Sequence, residues 1–308
     1  MVLKSGLLIF LGLLWSVRLS AIKAAGTSGV PIHVVVSFSA LGIALFFSLV
    51  AFMNRDWPPL DREALGFYGL SGVLGFLAPF TLESAVGPHL PVFIFVVIIA
   101  TMPFFTFALS TLAGQEPLQW FPLFAIGLGF VGTVAILWDI SFIASAGNAS
   151  VYWIAAAFGV PLFYAINTVF VATRWPSHAS PVNVAQAQAF IVTTAALVGS
   201  AVSGATADWR LVSLNIPAVS LIVLGEGLAL VVYLRIARDY GATYVSFANY
   251  VSIVFAALIG VVWFGDQLTV LTIGAALIII TSVAVYQGQT RLPTKVAACN
   301  NVRKTEHE

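Results

Sequence analysis

Two stretches of the chain, half a chain length apart, are versions of one segment. Pro103-Phe-Phe-Thr-Phe-Ala-Leu-Ser-Thr-Leu-Ala-Gly-Gln115-Glu116 is a long apolar run that ends in an acid. Ile253-Val-Phe-Ala-Ala-Leu-Ile-Gly-Val-Val-Trp-Phe-Gly265-Asp266 repeats its length, its small and aromatic residues and its terminal acid. Such repetition indicates an internal duplication, and in a chain this hydrophobic a duplication is typical of transporters.

Composition defines the class of protein. Of 308 residues, 60% are hydrophobic and 8% are charged, and the mean hydropathy is +1.02. A soluble domain needs a largely polar surface, so these values indicate a polytopic, all-α membrane protein. The net charge of +1 gives no reason to expect a nucleic acid as partner. Cys299 has no second cysteine with which to form a disulfide or complete a zinc site.

Ten apolar segments are long enough to cross the hydrocarbon core of a bilayer, which needs about 20 residues in a helix. Short loops with Pro, Gly, Ser and Asn separate them, and no loop could hold a soluble domain. The predicted transmembrane helices are Leu7 to Ala25, Pro31 to Met53, Leu65 to Val86, Leu90 to Ala113, Trp120 to Trp138, Tyr152 to Thr173, Val184 to Val202, Ile216 to Arg235, Thr243 to Phe264 and Leu268 to Tyr286.

The distribution of basic residues predicts the orientation of these helices. With the N-terminus in the cytoplasm, ten of the 13 basic residues fall in inside loops and tails, and the opposite orientation would invert this bias. Both termini are therefore predicted to be cytoplasmic. A signal peptide at the N-terminus is disfavoured, because its removal would leave nine crossings. The ten inside residues are Lys4, Arg55, Arg62, Arg174, Arg235, Arg238, Arg291, Lys295, Arg303 and Lys304.

The duplication has a geometrical consequence. Residues 1–139 and 150–289 form two predicted units of five helices each, followed by a polar cytoplasmic tail at 290–308. Because five is odd, the second unit enters the membrane from the opposite side, which makes the repeat inverted. Inverted repeats are a recurrent way to build a carrier that opens alternately to each side of the membrane.

Four motifs carry a family resemblance. Leu14-Trp15-Ser-Val-Arg-Leu-Ser-Ala-Ile22-Lys23 resembles the opening helix of EamA-like members of the drug/metabolite transporter (DMT) superfamily. Phe163-Tyr164-Ala165-Ile-Asn167 resembles the start of the second unit in that family, and the two repeated stretches resemble its helices 4 and 9. The chain departs from the pattern in helix 2, where Ser37 or Ser39 replaces an arginine, and in helix 9, where Ile253 replaces a proline and Asp266 a glutamate.

Two opposite charges lie at matching depth in the predicted membrane. Glu226 is about ten residues into its helix and Arg18 about eleven, so at 1.5 Å per residue both lie roughly 15 Å deep. Depth therefore permits an Arg18–Glu226 pair. The pair either neutralises itself as a structural element, or lines a central cavity and presents both charges to a zwitterionic solute, with Glu226 able to take a proton.

The remaining candidates are polar or aromatic residues within the predicted helices. Lys23 and Glu83, near the outer ends of their helices, either reach the interface or form a gating salt bridge. Glu116 and Asp266 are predicted to form structural hydrogen bonds. The histidines are not clustered as a metal site requires, and no cofactor is expected. The predicted substrate-binding residues are Trp15, Arg18, Tyr164, Asn167, Glu226, Tyr233 and Asn249.

These observations favour a secondary carrier. No Walker-type phosphate loop is present, so energy comes from a gradient of the solute, a counter-solute or protons. A membrane enzyme is disfavoured because no catalytic set of side chains appears, and a channel does not account for the inverted duplication. The resemblance implies export of a small metabolite, such as an amino acid or similar zwitterion, or alternatively of amphiphilic cations. The expected location is the bacterial inner membrane, among lipid, as a monomer or homodimer.

Overall fold

The computed structural model describes residues 2–27, 32–86, 98–145, 151–203, 213, 216–264 and 270–289, and within these ranges it is helical with no strand. Cys299, Asn148 and Asp266 lie outside the described residues. The helices are α1 (Val2–Thr27), α2 (Ile32–Asn54), α3 (Arg62–Gly72), α4 (Ala78–Val86), α5 (Met102–Leu112), α6 (Trp120–Ser145), α7 (Val151–Ala157), α8 (Gly159–Thr173), α9 (Pro181–Ser203), α10 (Ile216–Tyr240), α11 (Ala242–Ser246), α12 (Ala248–Phe264) and α13 (Val270–Gln289).

Five helical stretches in the described ranges are long and apolar enough to cross a membrane, and shorter apolar helices accompany them. Large hydrophobic side chains such as Phe52 and Val262 are exposed on the outside of the molecule, as expected of a protein embedded in lipid. The chain is therefore a multi-pass membrane protein. The five stretches are Ser37–Asn54, Arg62–Glu83, Tyr152–Thr173, Pro181–Gly199 and Ile216–Tyr240.

Several of the predicted segments contain a break that sequence periodicity did not reveal, and three of these breaks have an identifiable cause. Between α3 and α4 the chain forms a π-helix, Val73–Leu77. Pro79 follows this π-helix and explains it, because proline has no N–H to donate and its ring clashes with the carbonyl four residues earlier, at Gly75. Pro161 accounts in the same way for the turn at Phe158, between α7 and α8.

The third break, at Phe247 between α11 and α12, has a different cause. The Ser246 hydroxyl donates to the Thr243 carbonyl at 2.7 Å, and the Asn249 amide donates to the Ser246 carbonyl at 3.0 Å. Side-chain donors of this kind compete with the backbone for its carbonyl groups and interrupt a helix.

The helices pack in a small number of long interfaces. Helix α1 lies along α10 and α12, α8 lies along α4 and α5, α2 lies along α9, and α6 lies along α13. Close approach of α1 to α12 requires glycine at position 12, since a Cβ there would lie 2.6 Å from a methyl carbon of Val251. Buried hydroxyl groups join other pairs: Tyr250 donates to the Ile126 carbonyl at 2.8 Å, and Ser282 donates to the Ala125 carbonyl at 2.6 Å.

Two loops meet at the end of the molecule where α2 ends and α9 begins. The Asn183 amide donates to the carboxylate of Asp56 at 3.1 Å, and the Ser180 hydroxyl donates to the same carboxylate at 3.4 Å. These contacts join the loop between α2 and α3 to the start of α9.

Candidate functional site: a charged cluster between α1, α4, α8 and α10

Arg18 of α1 and Glu226 of α10 form an ion pair. The Arg18 Nε lies 2.9 Å from the Glu226 Oε2, and the side chains are 11% and 13% exposed. The pairing follows from the packing of α1 along α10. The Arg18 N–H is not aligned with this oxygen as a hydrogen-bond donor, so the contact is electrostatic and the carboxylate oxygen can still accept a hydrogen bond from another group.

A second carboxylate joins this pair. The Tyr164 hydroxyl on α8 donates to the Glu83 Oε1 on α4 at 3.1 Å. Arg18 lies beside the Tyr164 hydroxyl and within electrostatic range of Glu83. One guanidinium and one phenol therefore face two carboxylates, and the four groups come from four different helices. We call Arg18, Glu83, Tyr164 and Glu226 the charged cluster.

The structure groups Glu83 differently from the sequence prediction. From the sequence, Glu83 and Lys23 were predicted either to reach the interface or to form a gating salt bridge near the outer ends of their helices. In the structure Glu83 belongs to the charged cluster, because α4 packs against α8 and brings its carboxylate to the Tyr164 hydroxyl. The side chain of Lys23 lies outside the described residues, although its backbone belongs to α1.

A hydrogen-bonded group extends from the charged cluster along α8 and α10. The Asn167 amide donates to the Tyr233 hydroxyl at 3.1 Å, and the Thr168 hydroxyl lies 2.9 Å from the same oxygen. Thr168 also donates to the backbone carbonyl of Tyr164 at 2.6 Å, which connects the two groups. The Trp15 ring lies 6.3 Å from the Tyr233 ring, between centroids, and completes an aromatic side.

The π-helix supplies the backbone against which Asn167 packs. Asn167 is 3% exposed, and a Cβ at Gly75 would overlap its amide group. The Asn167 Oδ1 is buried and has no hydrogen-bond partner among the residues that the structure describes. A buried acceptor left unpaired is costly, and π-helical turns occur frequently at functional sites. Asn167 therefore presents a buried acceptor that could receive a hydrogen bond from a bound solute.

Sequence reasoning missed Thr168 and Gly75. Thr168 follows Asn167 and lies one helical turn after Tyr164, so helical spacing from a predicted site residue was the available signal. For Gly75, the signal was a proline four residues later in an apolar run.

Asn249 is not joined to these residues by any hydrogen bond in the described structure. Its amide donates to the Ser246 carbonyl and contacts the Met102 sulfur, both at 3.0 Å. These are helix-packing contacts. Its predicted role in binding a solute has no support from its hydrogen bonds.

The chemistry of the site is recognition of charge and hydrogen-bond donors. Among the described residues no three His, Cys, Asp or Glu side chains are grouped as metal ligands would be. What the four helices bring together is one cation, two anions, two phenols, an amide and an indole. Such a set can hold a small molecule that carries an ammonium group, a carboxylate or both.

Residues 4–138 match the model of the EamA-like transporter family, which belongs to the DMT superfamily. Over these residues the chain is similar to EamA-like transporters. Its matched segment includes Trp15, Arg18, Gly75 and Glu83 from the site described above.

A solved crystal structure resembles the fold of this chain with a TM-score of 0.73, at 17% sequence identity. It covers 92% of this chain and 96% of the other, so the likeness extends beyond the matched EamA-like segment and concerns the fold alone. No curated protein matches the chain.

Proposed function

We propose that this chain is a secondary active carrier that exports a small zwitterionic metabolite, such as an amino acid, by alternating access across the cytoplasmic membrane. Arg18 binds the carboxylate of the solute, and Glu226 binds its ammonium group. Trp15, Tyr164, Asn167 and Tyr233 surround the remainder. The observation that carries the proposal is the Arg18–Glu226 pair between α1 and α10, within a protein whose residues 4–138 match a transporter family.

The proposal includes ten crossings in two inverted units, 1–139 and 150–289. The packing of the helices supports this arrangement. When each predicted segment is replaced by its counterpart in the other unit, five places along the chain, the resulting pairs of segments are also in contact. Helix α1 lies along α10 and α12, and its counterpart α8 lies along α4 and α5, which are the counterparts of α10 and α12. The charged cluster draws Arg18 and Glu83 from the first unit and Tyr164 and Glu226 from the second.

Counterflow in proteoliposomes tests the carrier. Vesicles loaded with unlabelled solute are diluted into labelled solute, using L-leucine, L-lysine and ethidium as probes of zwitterions, cationic amino acids and amphiphilic cations. A carrier accumulates label only when the same solute is trapped inside. Saturable counterflow with an amino acid supports the proposal, whereas conductance without saturation indicates a channel.

Export of amphiphilic cations is the second candidate function. The surplus of carboxylates over guanidinium groups and the Trp15–Tyr233 aromatic pair favour a cation with an apolar body. Counterflow with ethidium but with neither amino acid would select this function over the first.

A further inference from the structure

The charged cluster holds more negative than positive charge in the part of the chain whose side chains are described. Glu226 is paired with Arg18 at 2.9 Å. Glu83 has a neutral phenol as its hydrogen-bond partner, at 3.1 Å, and shares the same guanidinium only at longer range. An uncompensated carboxylate inside a membrane protein is costly and is retained where it pairs with a mobile charge.

We propose that Glu83 carries the proton exchanged for the solute, and that the solute's ammonium group, which binds between Glu226 and Glu83, competes with this proton for the Glu83 carboxylate. This inference rests on the proposed carrier function. When the ammonium group binds, the proton leaves Glu83 for water, and when the solute leaves on the other side, Glu83 takes a proton from that side. One proton therefore moves opposite to each solute molecule.

The contacts favour Glu83 over Glu226 as the proton-carrying group. A proton on Glu226 would leave the Arg18 guanidinium without its nearest counter-charge. A proton on Glu83 instead removes the excess negative charge of the charged cluster. Tyr164 donates to one oxygen of Glu83, and the second oxygen is the one to which a proton or an ammonium group would bind.

The groups that face Glu83 come from the helices around α4. They are Arg18 of α1, Tyr164 of α8 and Glu226 of α10. Helix α7 also packs against α4 and carries Tyr152, which is 69% exposed. Lys23 of α1 is replaced by glutamine in the infrared test below.

Infrared difference spectroscopy of the full chain in lipid vesicles tests protonation without any solute. On acidification the wild-type protein should gain a carboxylic acid band that Glu83→Gln loses, while Glu226→Gln and the exposed control Glu63→Gln retain it. Tyr164→Phe should move the midpoint of this band to higher pH, because the hydrogen bond that favours the carboxylate is gone. This variant also serves if Glu83→Gln does not fold. Persistence of the band in Glu83→Gln, or an unchanged midpoint in Tyr164→Phe, overturns the assignment.

Lys23→Gln examines the competing explanation. If Lys23 neutralises Glu83, the band should appear in the accessible pH range only after this substitution, and the proposal is then wrong. If Glu83 carries an exchangeable proton, wild type and Lys23→Gln should both show the band.

Proton release separates this inference from the carrier function. Whichever of L-leucine, L-lysine and ethidium shows counterflow is added to weakly buffered protein with the pH dye pyranine. The wild type should release about one proton per bound solute, and Glu83→Gln none. Counterflow without proton release overturns the inference and leaves the carrier intact. Absence of counterflow with all three probes counts against the carrier, while the infrared band still decides the protonation of Glu83.

Discussion

The Ser16 hydroxyl lies 2.6 Å from the Ser252 carbonyl oxygen and joins α1 to α12 two residues before Arg18. Both serines are buried. The same hydroxyl lies 2.8 Å from the Gly12 carbonyl within α1. The bond therefore helps to set the position from which Arg18 reaches Glu226.

Replacing Ser16 by alanine should lower the free energy of unfolding by about 1 kcal/mol, the typical net contribution of one buried hydrogen bond. Ser48→Ala is the matched control, because the Ser48 hydroxyl donates only within its own helix, to the Ala44 carbonyl. Thermal unfolding in detergent measures both variants. Equal losses in the two would mean that the bond between α1 and α12 contributes nothing specific.

The Arg18–Glu226 pair can be tested by a double-mutant cycle. If the pair binds a zwitterion, Arg18→Gln and Glu226→Gln should each abolish counterflow, the double variant should not regain it, and unfolding temperatures should change little. A dry structural pair behaves otherwise, since removal of one partner costs about 3–5 kcal/mol and the double variant recovers stability. Normal counterflow by Glu226→Gln would show that the pair is structural.

An exposed ion pair provides the control for that cycle. Arg235 Nε lies 3.8 Å from Asp239 Oδ2 on α10, and the side chains are 56% and 32% exposed. Neutralising either residue should change stability by less than about 1 kcal/mol and leave transport unaltered.

Gly75→Ala should perturb the site through Asn167. The new Cβ would overlap the Asn167 amide, and relief of such overpacking typically costs about 1–3 kcal/mol. Displacement of Asn167 should also weaken its bond to Tyr233 and reduce solute affinity. Gly69→Ala, in α3, has open space around the added carbon and should be neutral or slightly stabilising. Counterflow at several solute concentrations together with unfolding temperatures compares the two, and a silent Gly75→Ala contradicts the described packing.

The loop carboxylate Glu116 should give a pH-dependent contribution to stability. It lies between α5 and α6, with its carboxylate near the backbone N–H and hydroxyl of Thr243. Burial raises the pKa of Glu116 above its ordinary value, and the Thr243 groups partly offset this shift.

A raised carboxyl pKa means that the folded state binds the proton more tightly than the unfolded state. The contribution of Glu116 to the free energy of unfolding is therefore fully present at pH values below the pKa of this carboxyl group in the unfolded state. It is lost as the pH rises through the pKa of the group in the folded state. Glu116→Gln should flatten this part of the pH profile of unfolding temperature, whereas Glu63→Gln, an exposed control, should not. A wild-type stability that rises with pH through the same interval, by an amount that Glu116→Gln removes, would show the opposite sign.

Membrane orientation can be tested with an impermeant maleimide on intact cells. The excess of basic residues on one side predicts that Cys299 is cytoplasmic and that Asn148→Cys, made in a chain with Cys299→Ser, is external. Only the introduced cysteine should react before the cells are opened. Labelling of Cys299 from outside would overturn the predicted topology.

Sequence was sufficient for the features that depend on length and depth. Apolar runs predicted helices, and counting residues into two of them predicted that Arg18 and Glu226 could meet, as they do at 2.9 Å. Depth estimates assume regular helices, however. The π-helix before α4 inserts an extra residue into one turn, which rotates later side chains by about 100° relative to a regular helix. Glu83 follows this turn, and its contact with Tyr164 was not predicted from the sequence.

Asn249 shows a second limit of sequence reasoning. A polar residue in an apolar run can face a solute or bond to its own helix, and composition does not distinguish the two. Here the Ser246 carbonyl, freed at the Phe247 turn, accepts the Asn249 amide. Such a carbonyl is free only where the helix is broken. This segment contains no proline from which the break could have been predicted.

The contact of Asp56 with Ser180 and Asn183 has a mechanical consequence. It is made by a carboxylate on an exposed residue, so water can replace each hydrogen bond when the two loops separate, and little free energy is lost. The buried bond between Ser16 and Ser252 has no such substitute. The two loops are thus held together by hydrogen bonds that water can replace. Helices α1 and α12 are held together beside Arg18 by a buried hydrogen bond that water cannot replace.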